Sequence, residues 1–124
     1  MADLRLSDGD AARLRTALTV AGFTVDGVRA LIGDEAHAAL ARNETTPAVR
    51  QTSDGSPLAT LTRLWPLQAA VAEPAAEAAL PGLAGPLVAA GILDRDGGDV
   101  RAVVDVRPYA DESHDWWVVA DLTP

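Results

Sequence analysis

Between Leu6 and Gly22 the apolar positions return every three or four residues. Ala11, Leu14, Leu18 and Ala21 fall on one face, with Asp, Arg and Thr residues between them. That spacing predicts a helix. Ser7 stands ahead of it with Asp10 three residues on, a capping-box spacing with Asp in place of the usual Glu. Gly22 supplies a left-handed stop. The stretch "TVDGVRALIG" predicts a shorter helix that ends at Gly33. "DEAHAALARN" predicts another, with Asp34 as its N-cap and Asn43 as its stop. Together these pieces make a helical subdomain over residues 1–43.

The pattern then dissolves into "ETTPAVRQTSDGSP", a polar joint over residues 44–56 with room for one short turn of helix after Pro47. Ser56-Pro57 opens a new helix by the N-cap and N1-proline rule. Leu58, Leu61, Leu64 and Trp65 form its apolar stripe, and Pro66 breaks it. A second short helix begins at Pro74. A third occupies "GLAGPLVAAG" and ends at Gly91. Beyond Gly91 the apolar residues switch to the short runs of strands: "ILDR", "VRAVVDVRPY" and "DWWVVADL". Gly97-Gly98 suits a tight turn after the first, and "ADES" connects the other two. Three short helices, a short strand and a β-hairpin follow the order of a winged helix over residues 57–124. The expected fold class is α+β, mostly helical, in a single domain.

Composition sharpens this picture. The chain is 48% apolar but only 4% aromatic, so small side chains and a few Leu, Val and Trp anchors must fill the core. Net charge is −8, and all ten basic residues are arginine. An acidic surface repels phosphate backbones, which disfavours nucleic acid as a partner. Cysteine is absent, so thiolate chemistry and disulfides are excluded. No apolar run reaches membrane-spanning length, and "MADLRLSDGD" has no apolar signal region, so the expectation is a soluble cytoplasmic chain with no membrane partner.

Candidate chemistry is thin. Ser113-His114-Asp115 has the letters of a catalytic triad, but consecutive side chains diverge, and triads are assembled by the fold. Asp111, Glu112, His114 and Asp115 match no metal-loop spacing. His37 has no second histidine at helical spacing. "DGGD" carries two acids, which would repel phosphate. The expected recognition helix, "GLAGPLVAAG", has no polar side chain to read a DNA groove. Arg107 and Tyr109 could hold a planar or anionic ligand, but an ion pair with a nearby acid suits Arg107 as well. No catalytic, cofactor-binding or metal-ligating residue is assigned.

The last strand raises the sharpest question. Trp116, Val118, Ala120 and Leu122 lie on one face; Trp117, Val119 and Asp121 lie on the other. Both faces are largely apolar, and such strands are normally covered on both sides. The helices of a winged helix cover only one. The far face, that of Trp117, is therefore expected to meet the N-terminal helices, another copy or a following domain. Trp116, Trp117, Val119, Arg107 and Tyr109 are the interface candidates.

"VRAVVDVRPYADESHDWWVVADL", with "AGFTVDGVRALIG", "PLATLTRLWPL", "AALP" and "LVAAGIL", resembles the N-terminal domain of a family of actinobacterial class I SAM-dependent methyltransferases. The resemblance covers nearly the whole chain. It implies a catalytic domain beginning shortly after Leu122, similar to those that methylate release-factor glutamine or ribosomal RNA bases. The glycine-rich SAM loop and the Asn-Pro-Pro-type motif of that domain are absent here; there is no Gly-x-Gly, and Asn43 is the only asparagine. The implied role is that of a non-catalytic accessory domain, serving substrate recruitment, scaffolding or dimerisation, with SAM bound by the parent enzyme. Its partners would be the downstream catalytic domain and, beyond that, a protein substrate or a second copy. The alternatives are a stand-alone interaction or dimerisation module using the Trp117 face, and a DNA-binding regulator suggested by element order alone.

Overall fold

A computed structural model of the chain describes residues 6–121. Helix α1 (Asp8–Ala21) starts where Ser7 Oγ accepts the Asp10 amide at 3.1 Å, and it ends at Gly22 with φ 76°. The Phe23 amide then bonds back to Leu18 O at 2.9 Å, which drives the Phe23 ring into the core. Helix α2 (Val25–Ala41) is capped by Thr24, whose hydroxyl accepts the Gly27 amide at 2.9 Å. The elbow between α1 and α2 is tight enough that a Cβ at Gly27 would run into the Gly22 carbonyl.

Gly33 (φ 85°, ψ 163°) interrupts α2 at the expected place. The expected cap is corrected, however. Gly33 itself holds the non-helical position, and the Asp34 carboxylate takes the Arg29 guanidinium at 2.8 Å instead. Asn43, at φ 61°, ends the helical run as expected.

Within the polar joint, α3 (Thr46–Gln51) buries Ala48 completely and packs on α2. Arg63 reaches across to Thr52 Oγ1 at 2.9 Å and to Val49 O at 3.1 Å, so this segment is fastened rather than loose. Helix α4 (Pro57–Leu64) is capped by Ser56, which accepts the Ala59 amide at 3.1 Å. Leu61, Leu64 and Trp65 are fully buried, and Leu58 is half-buried at the rim.

Helices α5 (Glu73–Ala79) and α6 (Ala84–Ala89) follow, and strands β2 (Leu93–Asp96) and β3 (Asp99–Ala102) turn at Gly97-Gly98, both with positive φ. A two-residue strand too short to show a period in the sequence, β1 (Val71–Ala72), precedes α5 and pairs with β3 through Val71 and Val100. The antiparallel order β1-β3-β2, with α4 before β1 and α5–α6 between β1 and β2, is winged-helix topology.

The expected strand "VRAVVDVRPY" is corrected into two. It breaks at Val103, whose amide bonds Ile92 O at 2.9 Å. β3 finishes the three-stranded sheet. β4 (Val104–Ala110) leaves it and pairs with β5 (Asp115–Asp121) in a separate antiparallel hairpin. The wing is thus β2–β3, and the tryptophan hairpin is an addition to it.

One hydrophobic cluster runs from Leu14 in α1 to Val106 in β4. Alanines at 36, 48, 76, 79 and 90 contribute to it, which lets backbones approach closely. Phe23 and Trp65 fill its middle with ring centroids 6.0 Å apart.

Candidate functional site

Residues directly opposed across β4 and β5 share a face. Pro108 with Trp117 and Val106 with Val119 form the inner face. Tyr109 with Trp116 and Arg107 with Val118 form the outer one. Trp117 and Val119 pack against the core, and the Trp117 indole N–H donates to Phe23 O at 2.7 Å. That carbonyl belongs to the short elbow between α1 and α2. Of the three partners expected for the Trp117 face, it is the N-terminal helices that cover it. The face left bare is the other one. Leu122, placed on that face from the sequence, lies outside the described residues.

On the outer face Trp116 is 42% exposed and Val118 and Tyr109 each 41%. Trp116 lies nearly parallel to Tyr109, with centroids 6.1 Å apart and 14° between planes. Stacking of this kind fixes both rings and presents them as a flat apolar platform. Arg107 sits beside Val118 and pairs with Asp105 at 3.0 Å. Asp105 is buried at the base of β4, so its carboxylate anchors the guanidinium while the Arg107 side chain stays largely exposed. The ion pair weighed for Arg107 from the sequence is therefore present.

The turn from β4 to β5 is closed by Asp111. Its Oδ1 accepts the Ser113 amide at 2.8 Å and the His114 amide at 2.7 Å, and its own amide bonds His114 O at 2.9 Å. These backbone amides hold its carboxyl below the usual carboxylate range. Ser113 Oγ lies 2.9 Å from His114 Nδ1, and Asp111 Oδ1 lies 3.6 Å from the same nitrogen. A triad needs the serine and the carboxylate on different ring nitrogens; here both bear on Nδ1, in a solvent-exposed turn. Asp115 starts β5 and is not part of this cluster. Among the described residues no group of three His, Asp or Glu gathers as metal ligands.

Because Asp111 ionises more readily in the folded turn than in an open chain, its contribution is fully present above the ordinary carboxylate range. It is lost as pH falls through the lowered value. Acidification from neutral pH to below the ordinary carboxylate range is expected to loosen this turn, seen as loss of the low-field Ser113 and His114 amide shifts. Asp111→Asn should flatten that titration. A titration unchanged by Asp111→Asn would assign it to another group.

Two concavities were not foreseen. A groove of about 640 Å³ lies between α2, the loop after α4 and β4, with His37, Asn43, Gln68, Asp105 and Arg107 in its wall. Gln68, at φ 52°, is strained for a residue with a side chain. A smaller apolar groove of about 440 Å³ runs along α1 past Ala12, Thr16 and Val20 to Ala79 and Pro81. Residues from such distant parts of the chain leave no local signal in the sequence.

The recognition-helix position of the winged unit, α6, turns Ala84 and Leu87 into the core. The wing tip carries Asp96 and Asp99, both exposed. No single helix among the described residues is long and apolar enough to cross a membrane.

No curated protein and no solved structure matches the chain. A family described as a domain of unknown function, DUF7059, matches residues 20–103. That span runs from the end of α1 to the break at Val103, and it leaves the tryptophan hairpin beyond its end. It covers more than half of the chain, and the chain therefore belongs to the DUF7059 family.

Proposed function

We propose that this domain is the non-catalytic accessory module of a SAM-dependent methyltransferase and that its C-terminal hairpin is the docking element. The observation that carries the reading is the hairpin itself. The stretch that resembles the methyltransferase family, from Arg107-Pro-Tyr to Trp116-Trp-Val-Val, is the one that holds the stacked Tyr109–Trp116 platform open to solvent. Exposed apolar platforms of this kind mark contact with another protein surface. The partner of this platform is the catalytic domain of the same polypeptide, in the cytoplasm. The acidic balance of the domain suits recruitment of a basic protein substrate better than RNA.

Dimerisation through Trp117 does not belong to this reading, because that ring is spent on the α1–α2 elbow. Groove reading of DNA is likewise set aside. Winged-helix topology alone does not carry it, and α6 offers an apolar, inward-facing surface where such proteins place arginines and polar amides.

Two measurements test the proposal. Calorimetric titration of SAM into the 124-residue chain is expected to show no binding, and micromolar affinity would overturn the accessory role. Immunoblotting of native cells against this domain should show a species several times heavier than 12.9 kDa. A band at 12.9 kDa would leave the stand-alone interaction module in its place.

A further inference from the structure

We infer that the free edge of β5 is a strand-addition site for an extended segment with an apolar centre and a basic residue at each end. The inference rests on the hairpin being the docking element, and it names how the partner is held. β5 pairs with β4 on one side through seven consecutive residue pairs without a bulge. Among the described residues no backbone bond from elsewhere reaches its other side. A bare edge offers a row of amides and carbonyls ready to pair.

Natural edges are usually blunted by lysine, proline or a bulge. β5 has none of these; between its ends it reads Trp-Trp-Val-Val-Ala. The hairpin's proline, Pro108, sits on β4 instead, where the missing N–H spares the β5 edge. The Asp111–His114 bond closes the turn, and hydrogen-bonded pairs alternate from there. The amides of Trp117 and Val119 consequently point out from the β5 edge.

Charge selects the occupant. The strand begins at Asp115 and ends at Asp121, the turn adds Asp111 and Glu112, and the chain carries −8 overall. A second copy of β5, paired antiparallel over its full length, would set Asp115 against Asp121 at both ends. Like charges directly opposed across strands are destabilising. A strand with Arg or Lys at those two positions reverses both terms. The outer side chains of such a strand would lie beside Trp116 and Val118 and extend the existing platform.

The test is an NMR titration of the intact chain with three synthetic heptapeptides. The first is Arg-Val-Thr-Val-Thr-Val-Arg. The second carries Asp at both ends. The third is the arginine peptide N-methylated at alternate residues on the edge that would face β5. The arginine peptide is expected to shift and protect the Trp117 and Val119 amides, with affinity falling as salt rises. The acidic peptide should bind at least about tenfold more weakly, and the N-methylated one should lose binding. Equal binding of the acidic peptide, or none by the arginine peptide, overturns the inference. Undiminished binding of the N-methylated peptide would overturn strand addition while leaving the Tyr109–Trp116 platform as the docking surface. A dimer in sedimentation with protected Trp117 and Val119 amides, in the absence of peptide, would give the edge to a second copy and overturn it as well.

Discussion

Trp65→Ala is expected to cost about 3–5 kcal/mol of folding stability, a large share of what a domain this size has. Trp65 is fully buried where the two halves of the chain meet. It closes α4 on one side and stacks at a tilt on Phe23 from the α1–α2 elbow on the other. The cluster around it includes alanines at 36, 48, 76, 79 and 90, short side chains that cannot reach inward to fill the space. The cavity term therefore adds to the lost transfer energy. Its indole N–H has no acceptor among the described residues. Trp65→Phe should for that reason cost only about 1–2 kcal/mol, since it sacrifices volume but no hydrogen bond. Urea denaturation of the two variants measures both values. A Trp65→Phe loss equal to that of Trp65→Ala would mean that the indole nitrogen is bonded in solution.

Trp117 should answer the same substitution differently. Trp117→Phe removes the donor from Phe23 O and leaves a half-buried carbonyl unpaired, about 1–2 kcal/mol. Trp117→Ala adds lost packing, for about 2–4 kcal/mol in total. The effect should be local, because β5 packs chiefly on β4 and reaches the helices through this inner face. Amide exchange is expected to rise along β4 and β5 while the protection of α2 and α4 stays high. Uniform loss of protection across the chain would show that the hairpin is part of the cooperative core. The Tyr109–Trp116 platform would survive either substitution in covalent terms but lose its fixed orientation. Any docking reaction that depends on the platform should weaken with it.

Trp65 and Trp117 differ in how far the local sequence reveals their role. Helix starts at Ser7 and Ser56 and stops at Gly22, Asn43 and Gly91 were legible because each is a local event. A hydroxyl within three residues of an amide, or a backbone conformation that only glycine or asparagine adopts readily, needs no distant partner. Winged-helix order was legible for the same reason: it is a sequence of local elements. Asp34 departs from the cap expectation because an acid ahead of a helix can cap it or pair with a cation, and Arg29 lies five residues away, across the break at Gly33. β1 was missed because two residues carry no period; Val71 is a strand only because Val100 is there to pair with it.

The face of β5 was undecided for a deeper reason. Both of its faces are apolar, so alternation identifies two surfaces without saying which one is buried. The break at Val103 decides that. It swings β4 out of the wing sheet, carries the hairpin across to the α1–α2 elbow, and lets Phe23 O take the Trp117 indole. From its own letters the chain determined its helices, caps, turns and acidic surface, because those follow from residues a few positions apart. Only the tertiary structure decided which tryptophan is anchor and which is platform, because that choice rests on one carbonyl ninety-four residues away.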